Sequence, residues 1–214
     1  EAAANQLFPP SLNDWHLSEV AGAERDLEQA RALLAGLGWQ ADGKGMLSRN
    51  GEAFKLTLTT FADRPELPLL ATAMQDQLRE LGVELTVNVT NSSEIPAGHR
   101  DGSLQLGLMA RNFALVPDPL GTLLQDYGPE GGDWGAMNWQ SPRLGEILQQ
   151  LLAHTDGETL AGLRREAAGI LHEQLPVIPV AWYQQTAAVS NKVEGFSIDP
   201  FERSYRVSEM RWAQ

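Results

Sequence analysis

The chain has 214 residues, no cysteine, and 28 acidic against 16 basic side chains, for a formal net charge of −12. This balance argues against nucleic acid or an anionic membrane surface as a partner, because binding either one needs a basic face. The lack of cysteine excludes a disulfide framework, a thiolate metal site and a cysteine nucleophile, and it leaves the cellular compartment open.

Turn-forming residues dominate residues 1–23, which are predicted to be an irregular N-terminal segment. The first helix is predicted to follow directly and to stop at Gly38. Its apolar residues recur at helical spacing: Leu27, Ala30, Leu33, Leu34 and Leu37. The cluster Asp42–Gly45 that follows is predicted to be a tight turn, because it lacks the spacing of a phosphate-binding loop.

Two alternating strands flank a second helix. Apolar and polar residues alternate over 54–59 and again over 83–89, which is typical of half-buried strands. A helix is predicted over 66–81 between them, with one side formed by Leu70, Ala73, Gln77, Leu78 and Leu81. A strand, a helix and a strand joined by short connections predict a βαβ unit, with parallel strands and a right-handed crossover.

The second half of the chain is less regular. A third strand is predicted over 104–109 after a polar stretch, and residues 111–140 show no period beyond a possible short helix near 120–124. Ser141-Pro142 begins a further helix, whose predicted stripe is Leu144, Ile147, Leu148, Leu151 and Leu152. Thr155 and Glu158 have capping-box spacing for the last helix, which is predicted to bury Leu160, Leu163, Ala167, Ile170 and Leu171. Strands are predicted over 177–183 and 186–190, and the whole is predicted to be one α/β domain.

Catalytic and cofactor motifs find no match. The four histidines do not form HExxH, and no phosphate-binding loop, dinucleotide fingerprint or nucleophile elbow occurs. We therefore predict no catalytic residue, no metal site and no cofactor.

Residues 111–140 are the candidate binding segment, because ligands in open α/β sheets lie beyond the carboxyl ends of strands. Aromatic side chains offer contact area there, and polar ones offer directional hydrogen bonds. The candidates are Arg111, Asn112, Phe113, Asp118, Trp134, Asn138 and Trp139. Two interpretations stand side by side for Trp134 and Trp139. They contact a ligand, or they attach a long surface loop to the rest of the domain. Phe113 is assigned a ligand-facing or interdomain role.

An ordered series of motifs resembles a known family. The series comprises Asp26–Leu34 closing on Gly38-Trp39, then Asp42–Leu47, Gly51–Leu58, Gln77–Val87, Ala110–Leu120 with the pair Asp118-Pro119, Asn138–Leu152 and Leu171–Phe196. In this order the motifs resemble the C-terminal lobe of the family 5 extracellular solute-binding proteins. That family serves ABC importers of dipeptides, oligopeptides and nickel chelates.

The resemblance implies one lobe of a two-lobed periplasmic-binding-protein fold of type II, with a mixed, mostly parallel sheet flanked by helices. Residues 24–198 would be the C-terminal ligand-binding lobe, preceded by the segment 1–23. Residues 199–214 would be a tail that normally crosses to an N-terminal lobe. Since the resemblance also implies a longer protein, we expect Glu1 to be a cut boundary.

The implied function is capture of a small solute in the periplasm by lobe closure, followed by docking on an ABC permease, with no bond made or broken. The residues 111–118, with Arg111, Asn112, Phe113 and Asp118, would supply this lobe's share of the cleft, with Asn138 and Trp139 nearby. The chain alone should then bind ligand weakly. Two alternative functions stay open. The chain is the sensor lobe of a cytoplasmic transcription regulator, or it is a standalone hydrolase.

Departures from the family pattern bear on the ligand. Peptide binders of the family carry an aspartate shortly before the Asp-Pro pair, where it meets the ligand's ammonium, and this chain has no carboxylate over 112–117. A buried ammonium without a counter-charge is costly. Nickel-chelate binders have an arginine and then an aromatic residue two positions later, as Arg111 and Phe113 are placed. Their aromatic residue is tryptophan, however, and they have a histidine further along, whereas no histidine lies between His99 and His154 here. We therefore expect an anionic or aromatic small ligand.

Overall fold

The computed structural model describes residues 2–22, 24–113, 118–153, 156–199 and 204–213. Its helices are α1 (Leu27–Gly36), α2 (Glu66–Glu80), α3 (Glu94–Asp101), α4 (Leu120–Tyr127), α5 (Pro142–Ala153) and α6 (Gly157–Gln174). Its strands are β1 (Ala2–Ala3), β2 (Gln40–Ala41), β3 (Leu47–Arg49), β4 (Glu52–Ala53), β5 (Lys55–Phe61), β6 (Glu84–Thr90), β7 (Leu106–Gly107), β8 (Ala181–Trp182), β9 (Val193–Glu194) and β10 (Arg211–Trp212). No helix within these ranges combines the length and apolar content that crossing a bilayer requires.

The chain divides into two compact units. The middle unit is Ala23–Arg111, and the terminal unit combines Glu1–Gly22 with Asn112–Gln214. The division proposed from the sequence, into residues 1–23, 24–198 and 199–214, stays a prediction.

A parallel sheet forms the centre of the middle unit. β5 lies between β6 and β7 and runs parallel to both, so that Leu58 is opposite Val87 on one side and Leu106 on the other. α2 connects β5 to β6 and packs on both strands. The predicted unit of two parallel strands and a connecting helix is confirmed, and with it the α/β class. The third strand is shorter than predicted, since β7 covers only Leu106–Gly107.

The buried face of α2 differs from the predicted one. Leu67 and Ala71 are fully buried, whereas Ala73 and Gln77 are exposed. Apolar residues occur on more than one side of this helix, and Leu69 is largely exposed. Helical spacing alone therefore did not decide which apolar stripe the sheet covers.

One helix of the middle unit was not predicted. α3 forms within the polar stretch before β7 and buries Ile95 and Gly98. Pro96 and Gly98 lower the helix propensity of this stretch, which hides the helix from a sequence pattern.

A small antiparallel sheet, β2–β3–β4, precedes β5 in the middle unit. The predicted turn at Asp42 joins β2 to β3, and the Oδ1 atom of Asp42 accepts hydrogen bonds from the backbone N–H groups of Lys44 and Met46 at 2.8 and 2.9 Å. These two hydrogen bonds lower the pKa of Asp42 below its ordinary value of 3.8, and the one from Met46 has the larger effect. The Leu47 N–H donates to the carbonyl oxygen of Gly82 at 2.8 Å, which ties β3 to the turn between α2 and β6.

The terminal unit is built around α4, α5 and α6. α4 packs on α5, α5 on α6, and α6 on the 3-10 segment Pro10–Trp15. The core is contributed by all of these elements: Phe8, Trp15, Leu17, Leu123, Tyr127, Ala136, Leu144, Ile147, Leu148, Leu151, Leu163, Ala167, Ala168 and Leu171. The predicted stripe of α5 is confirmed except at Leu152, which is 57% exposed.

Three features of the terminal unit differ from the sequence prediction or lie outside the described residues. The cap of α6 is Asp156, whose carboxylate accepts from the Thr159 N–H at 2.8 Å; Thr155, the predicted cap, lies outside the described residues. The strand predicted over 177–183 is reduced to β8, which pairs antiparallel with β1. No strand forms over 186–190, and within the described ranges no backbone segment pairs with these residues.

Candidate functional site

The candidate segment leaves the sheet at the carboxyl end of β7, as predicted. The Leu108 N–H donates to the Thr59 carbonyl oxygen, and the Thr60 hydroxyl donates to the Leu108 carbonyl oxygen at 2.9 Å, so the chain stays tied to β5 just beyond β7. Arg111 follows as an exposed residue and closes the middle unit. Asn112 and Phe113, both half-buried, begin the terminal unit.

Phe113 is the outer member of an aromatic cluster. Its ring meets the ring of Phe8 edge-on, with centroids 5.7 Å apart and planes at 73°, and Phe8 in turn lies 5.3 Å from Trp15. Phe8 and Trp15 are almost completely buried, whereas Phe113 is only half-buried. The cluster therefore fixes one side of the Phe113 ring and leaves part of the ring accessible.

Asp118 is held by both of its carboxylate oxygens. Oδ1 accepts from the Leu120 N–H at 2.9 Å, in the first turn of α4, and Oδ2 accepts from Nη2 of Arg164 at 2.6 Å. Residues 114–117, which separate Asp118 from Phe113, lie outside the described residues.

Arg164 is the residue that the sequence analysis missed. It is 24% exposed on α6, and its Nη1 also donates to Oδ2 of Asp14 at 3.3 Å. Its guanidinium carbon lies 6.0 Å from the centre of the Trp15 ring, within reach of a cation–π interaction. A sequence signal was present, because Arg164 is four residues before the buried Ala168 and so falls on the apolar stripe of α6.

Asn138 and Trp139 belong to the loop between α4 and α5. Asn138 is exposed and has a positive φ of 56°, which asparagine tolerates better than most residues. Trp139 is half-buried and packs against the core of the terminal unit. For Trp139 this packing supports the alternative in which the tryptophan pins its loop, while a ligand contact for Asn138 stays a prediction.

Across the ranges that the structure describes, no group of three or more His, Asp or Glu side chains is placed to hold a metal ion. The predicted residues carry groups that can take part in recognition: the exposed side chain of Arg111 a guanidinium, Asn112 and Asn138 amides, and Phe113 and Trp139 aromatic rings.

Comparisons with known proteins agree with this chemistry. The family described as "Bacterial extracellular solute-binding proteins, family 5 Middle" matches residues 1–134, which is more than half of the chain. The chain is 24% identical over 185 residues to the nickel-binding periplasmic protein of Escherichia coli K12, with 85% of this chain and 35% of that protein covered. It is 28% identical over 202 residues to di/tripeptide-binding protein 4 of Pseudomonas aeruginosa UCBPP-PA14, with 92% and 36% covered.

A solved structure with a similar fold is that of NikA from Brucella suis in complex with Fe(III)-EDTA. The TM-score is 0.79 at 19% identity, and the match covers 99% of this chain and 43% of that one. The chain thus spans about a third of the length of the curated relatives that it matches. The resemblance inferred from the ordered motifs is confirmed, and the partial coverage agrees with a single lobe.

Proposed function

This chain belongs to the bacterial extracellular solute-binding proteins of family 5, and we propose that the whole protein is the substrate-binding component of an ABC importer. It captures a peptide-like or metal-chelate small solute between two lobes, and this chain supplies the C-terminal lobe. Closure of the lobes around the solute performs the task, and no bond is made or broken. The family match over residues 1–134 is the observation that carries the proposal.

The ligand contacts of this lobe are proposed to come from Arg111, Asn112 and Phe113, with Asn138 and Trp139 at the edge of the site. Support comes from the course of the chain, which leaves the carboxyl end of β7 just before Arg111. Support also comes from the accessible part of the Phe113 ring, whose other side is fixed by Phe8. Arg111 provides a planar guanidinium and Phe113 an aromatic ring, two groups that suit a ligand with a carboxylate or an aromatic group.

The charge distribution bears on the ligand class. Asp118 is the one acidic residue of the sequence within 111–118, and it is already paired with Arg164 and with the Leu120 N–H. A peptide's free ammonium would therefore lack the partner that it needs when it is buried. Of the two family ligand classes, a metal chelate that carries carboxylates and no free ammonium fits this arrangement better than an ordinary peptide.

The tail, residues 199–214, is proposed to contact the lobe that precedes this chain. Within it Tyr205, Val207 and Trp212 are between 70% and 78% exposed. Three large apolar side chains exposed to this degree within one short segment support a contact with a partner surface. The protein is proposed to act outside the cytoplasm, in the periplasm, and to deliver its solute to a membrane permease. The net charge of −12 disfavours nucleic acid as a partner.

Calorimetric titration of the full protein tests the function. The probes are the nickel(II)–histidine complex and trialanine. We expect micromolar or tighter binding of the nickel complex, at least tenfold weaker binding of trialanine, and a loss of at least tenfold in affinity for the nickel complex in Arg111→Ala and in Phe113→Ala. Arg165→Ala, a change at an exposed residue of α6, serves as the control and should bind like the parent protein. Binding of neither probe would contradict the proposed function.

A further inference from the structure

The turn between β3 and β4 combines an asparagine with a glycine. Asn50 and Gly51 form a two-residue hairpin loop, which the paired residues Arg49 and Glu52 close. Asn50 has a φ of 54° and Gly51 a φ of 84°, and positive values at both positions are what a type I′ turn requires. The sequence contains an Asn-Gly pair only here. The side-chain amide of Asn50 is therefore followed by a backbone nitrogen that no neighbouring Cβ atom shields.

The side chain of Asn50 is not held in place. Both residues of the turn are exposed, and a Cβ atom added to Gly51 would meet nothing within 4 Å. Within the described ranges the amide of Asn50 makes no hydrogen bond. The amide of Asn91, in contrast, is fixed, because its Oδ1 atom accepts from the N–H and the hydroxyl of Ser93 at 3.0 and 2.9 Å. The Asn50 side chain can thus turn toward its own backbone.

The hairpin that contains this turn is small. β4 has two residues and lies at the edge of its sheet, since β3 separates it from β2. Opening of the turn breaks the pairing of β4 with β3 and leaves β5 paired with β6. An opening that breaks so few contacts costs little free energy compared with global unfolding. The turn can therefore leave its positive φ geometry while the parallel sheet of the middle unit stays intact.

We propose that Asn50 is a site of spontaneous deamidation. The backbone nitrogen of Gly51 attacks the Cγ atom of Asn50, and a cyclic imide closes as the new N–Cγ bond forms. The bond from Cγ to Nδ2 breaks, and Nδ2 leaves as ammonia together with the proton of the attacking nitrogen. Water then opens the imide. Cleavage of the new N–Cγ bond gives aspartate, and cleavage of the original peptide bond gives isoaspartate, so no oxidant or reductant is consumed.

The two products differ in their effect on the hairpin. Each adds one negative charge. Aspartate keeps the length of the backbone and tolerates a positive φ, so the hairpin persists. Isoaspartate inserts a methylene group into the main chain, which a two-residue loop between paired strands does not accommodate. The ring of Phe54, directly after β4, stacks on Trp39 with centroids 4.0 Å apart, and the isoaspartate form should loosen this stack as well.

Peptide mass spectrometry of the full protein tests the site. The protein is incubated at mildly alkaline pH, and the conversion of each amide to an acid is followed peptide by peptide through its mass gain. Asn50 should convert at least tenfold faster than Asn91 and Asn191, which are exposed but are followed by serine and lysine. These two residues serve as controls within the same sample. Conversion of Asn50 no faster than that of Asn191 would overturn the proposal.

Hydrogen exchange separates the effect of the altered backbone from that of the added charge. The isoaspartate form, isolated after incubation, should exchange the amides of residues 46–54 at least tenfold faster than fresh protein. Asn50→Asp has the same charge on a normal backbone and should exchange like fresh protein, and the β5 and β6 amides should be unchanged in both. Equal exchange in the isoaspartate form and in Asn50→Asp would overturn the assigned effect on the hairpin.

This inference is independent of the proposed function. No ligand takes part in the conversion of Asn50, and both readouts are made on the ligand-free protein. Failure of the protein to bind either titration probe would contradict the proposed function and leave the deamidation site standing. An Asn50 that stays intact would overturn the site and leave the proposed function standing.

Discussion

Substitution of Gly82 by alanine is expected to destabilise the middle unit strongly. Gly82 has a φ of +86°, where an L side chain is strained by about 1–2 kcal/mol. A Cβ atom at this position would also meet the carbonyl oxygen of Gly45 at 2.2 Å and the backbone nitrogen of Leu47 at 3.0 Å. Both contacts are backbone atoms, so the turn must shift, and overpacking of this kind costs about 1–3 kcal/mol. The two contributions together give a loss of about 2–5 kcal/mol.

Two other glycines of the middle unit provide matched controls. Gly51 has nearly the same φ, +84°, but nothing lies within 4 Å of its added Cβ, so Gly51→Ala should cost only about 1–2 kcal/mol of strain. Gly36 is in α1 with open space around it, and Gly36→Ala should stabilise the unit by about 0.5–1 kcal/mol, because alanine favours a helix. The three variants therefore separate the clash, the backbone strain and the helix propensity.

Hydrogen exchange of the β5 and β6 amides at increasing urea is the appropriate assay. It reports the free energy of opening of the middle unit separately from that of the terminal unit. From the most to the least stable, the proteins should rank as Gly36→Ala, the parent, Gly51→Ala and Gly82→Ala. If Gly82→Ala loses no more than Gly51→Ala, the close approach of Gly45 is not a constraint on the fold, and the reasoning is refuted.

Three further outcomes are expected. Leu148→Ala, at a fully buried position of α5, should lower the free energy of unfolding by about 2–5 kcal/mol in urea titrations, whereas Leu152→Ala on the exposed side of α5 should change it by no more than about 0.5 kcal/mol. Asp42→Ala should lower the urea midpoint at pH 7, and its difference from the parent should shrink as pH falls below about 4. The lowered pKa of Asp42 makes a contribution to stability that is complete above the unfolded pKa and is lost as pH falls through the folded one. A difference of the same size at pH 7 and at pH 3 would contradict this. The 214-residue chain alone should show no saturable binding of the nickel(II)–histidine complex in the micromolar range, because the other half of the proposed cleft is absent, and micromolar affinity in calorimetry would refute that expectation.

Sequence patterns predicted the elements whose signals are local. The strands around α2 alternate with period two, and Gly82 marks the end of the helix between them, so this unit follows from the sequence alone. The stripe of α5 is similarly clear at Leu144, Ile147, Leu148 and Leu151. Where local signals are weak the prediction failed: α3 contains Pro96 and Gly98 and was missed.

Long-range partners could not be predicted from local patterns. A strand over 186–190 needs a neighbouring backbone, and none pairs with it in the described residues. The hydrogen bond between Arg164 and Asp118 joins residues 46 positions apart, and the one between Arg164 and Asp14 joins residues 150 positions apart. The sequence identified the candidate segment by its place after a strand, but only the structure shows what holds it.

The discontinuity of the terminal unit has a consequence for the order of folding. The middle unit is one continuous stretch, so all of its partners exist once Arg111 has been synthesised. β1 pairs instead with β8, Ala2 with Trp182, near the other end of the chain. At about 5–20 residues per second, the first strand waits roughly 10–40 s for that partner. Phe8 and Trp15 likewise lack the surface that later covers them until α5 and α6 have been made, so these two large apolar side chains stay unburied longer than the core of the middle unit.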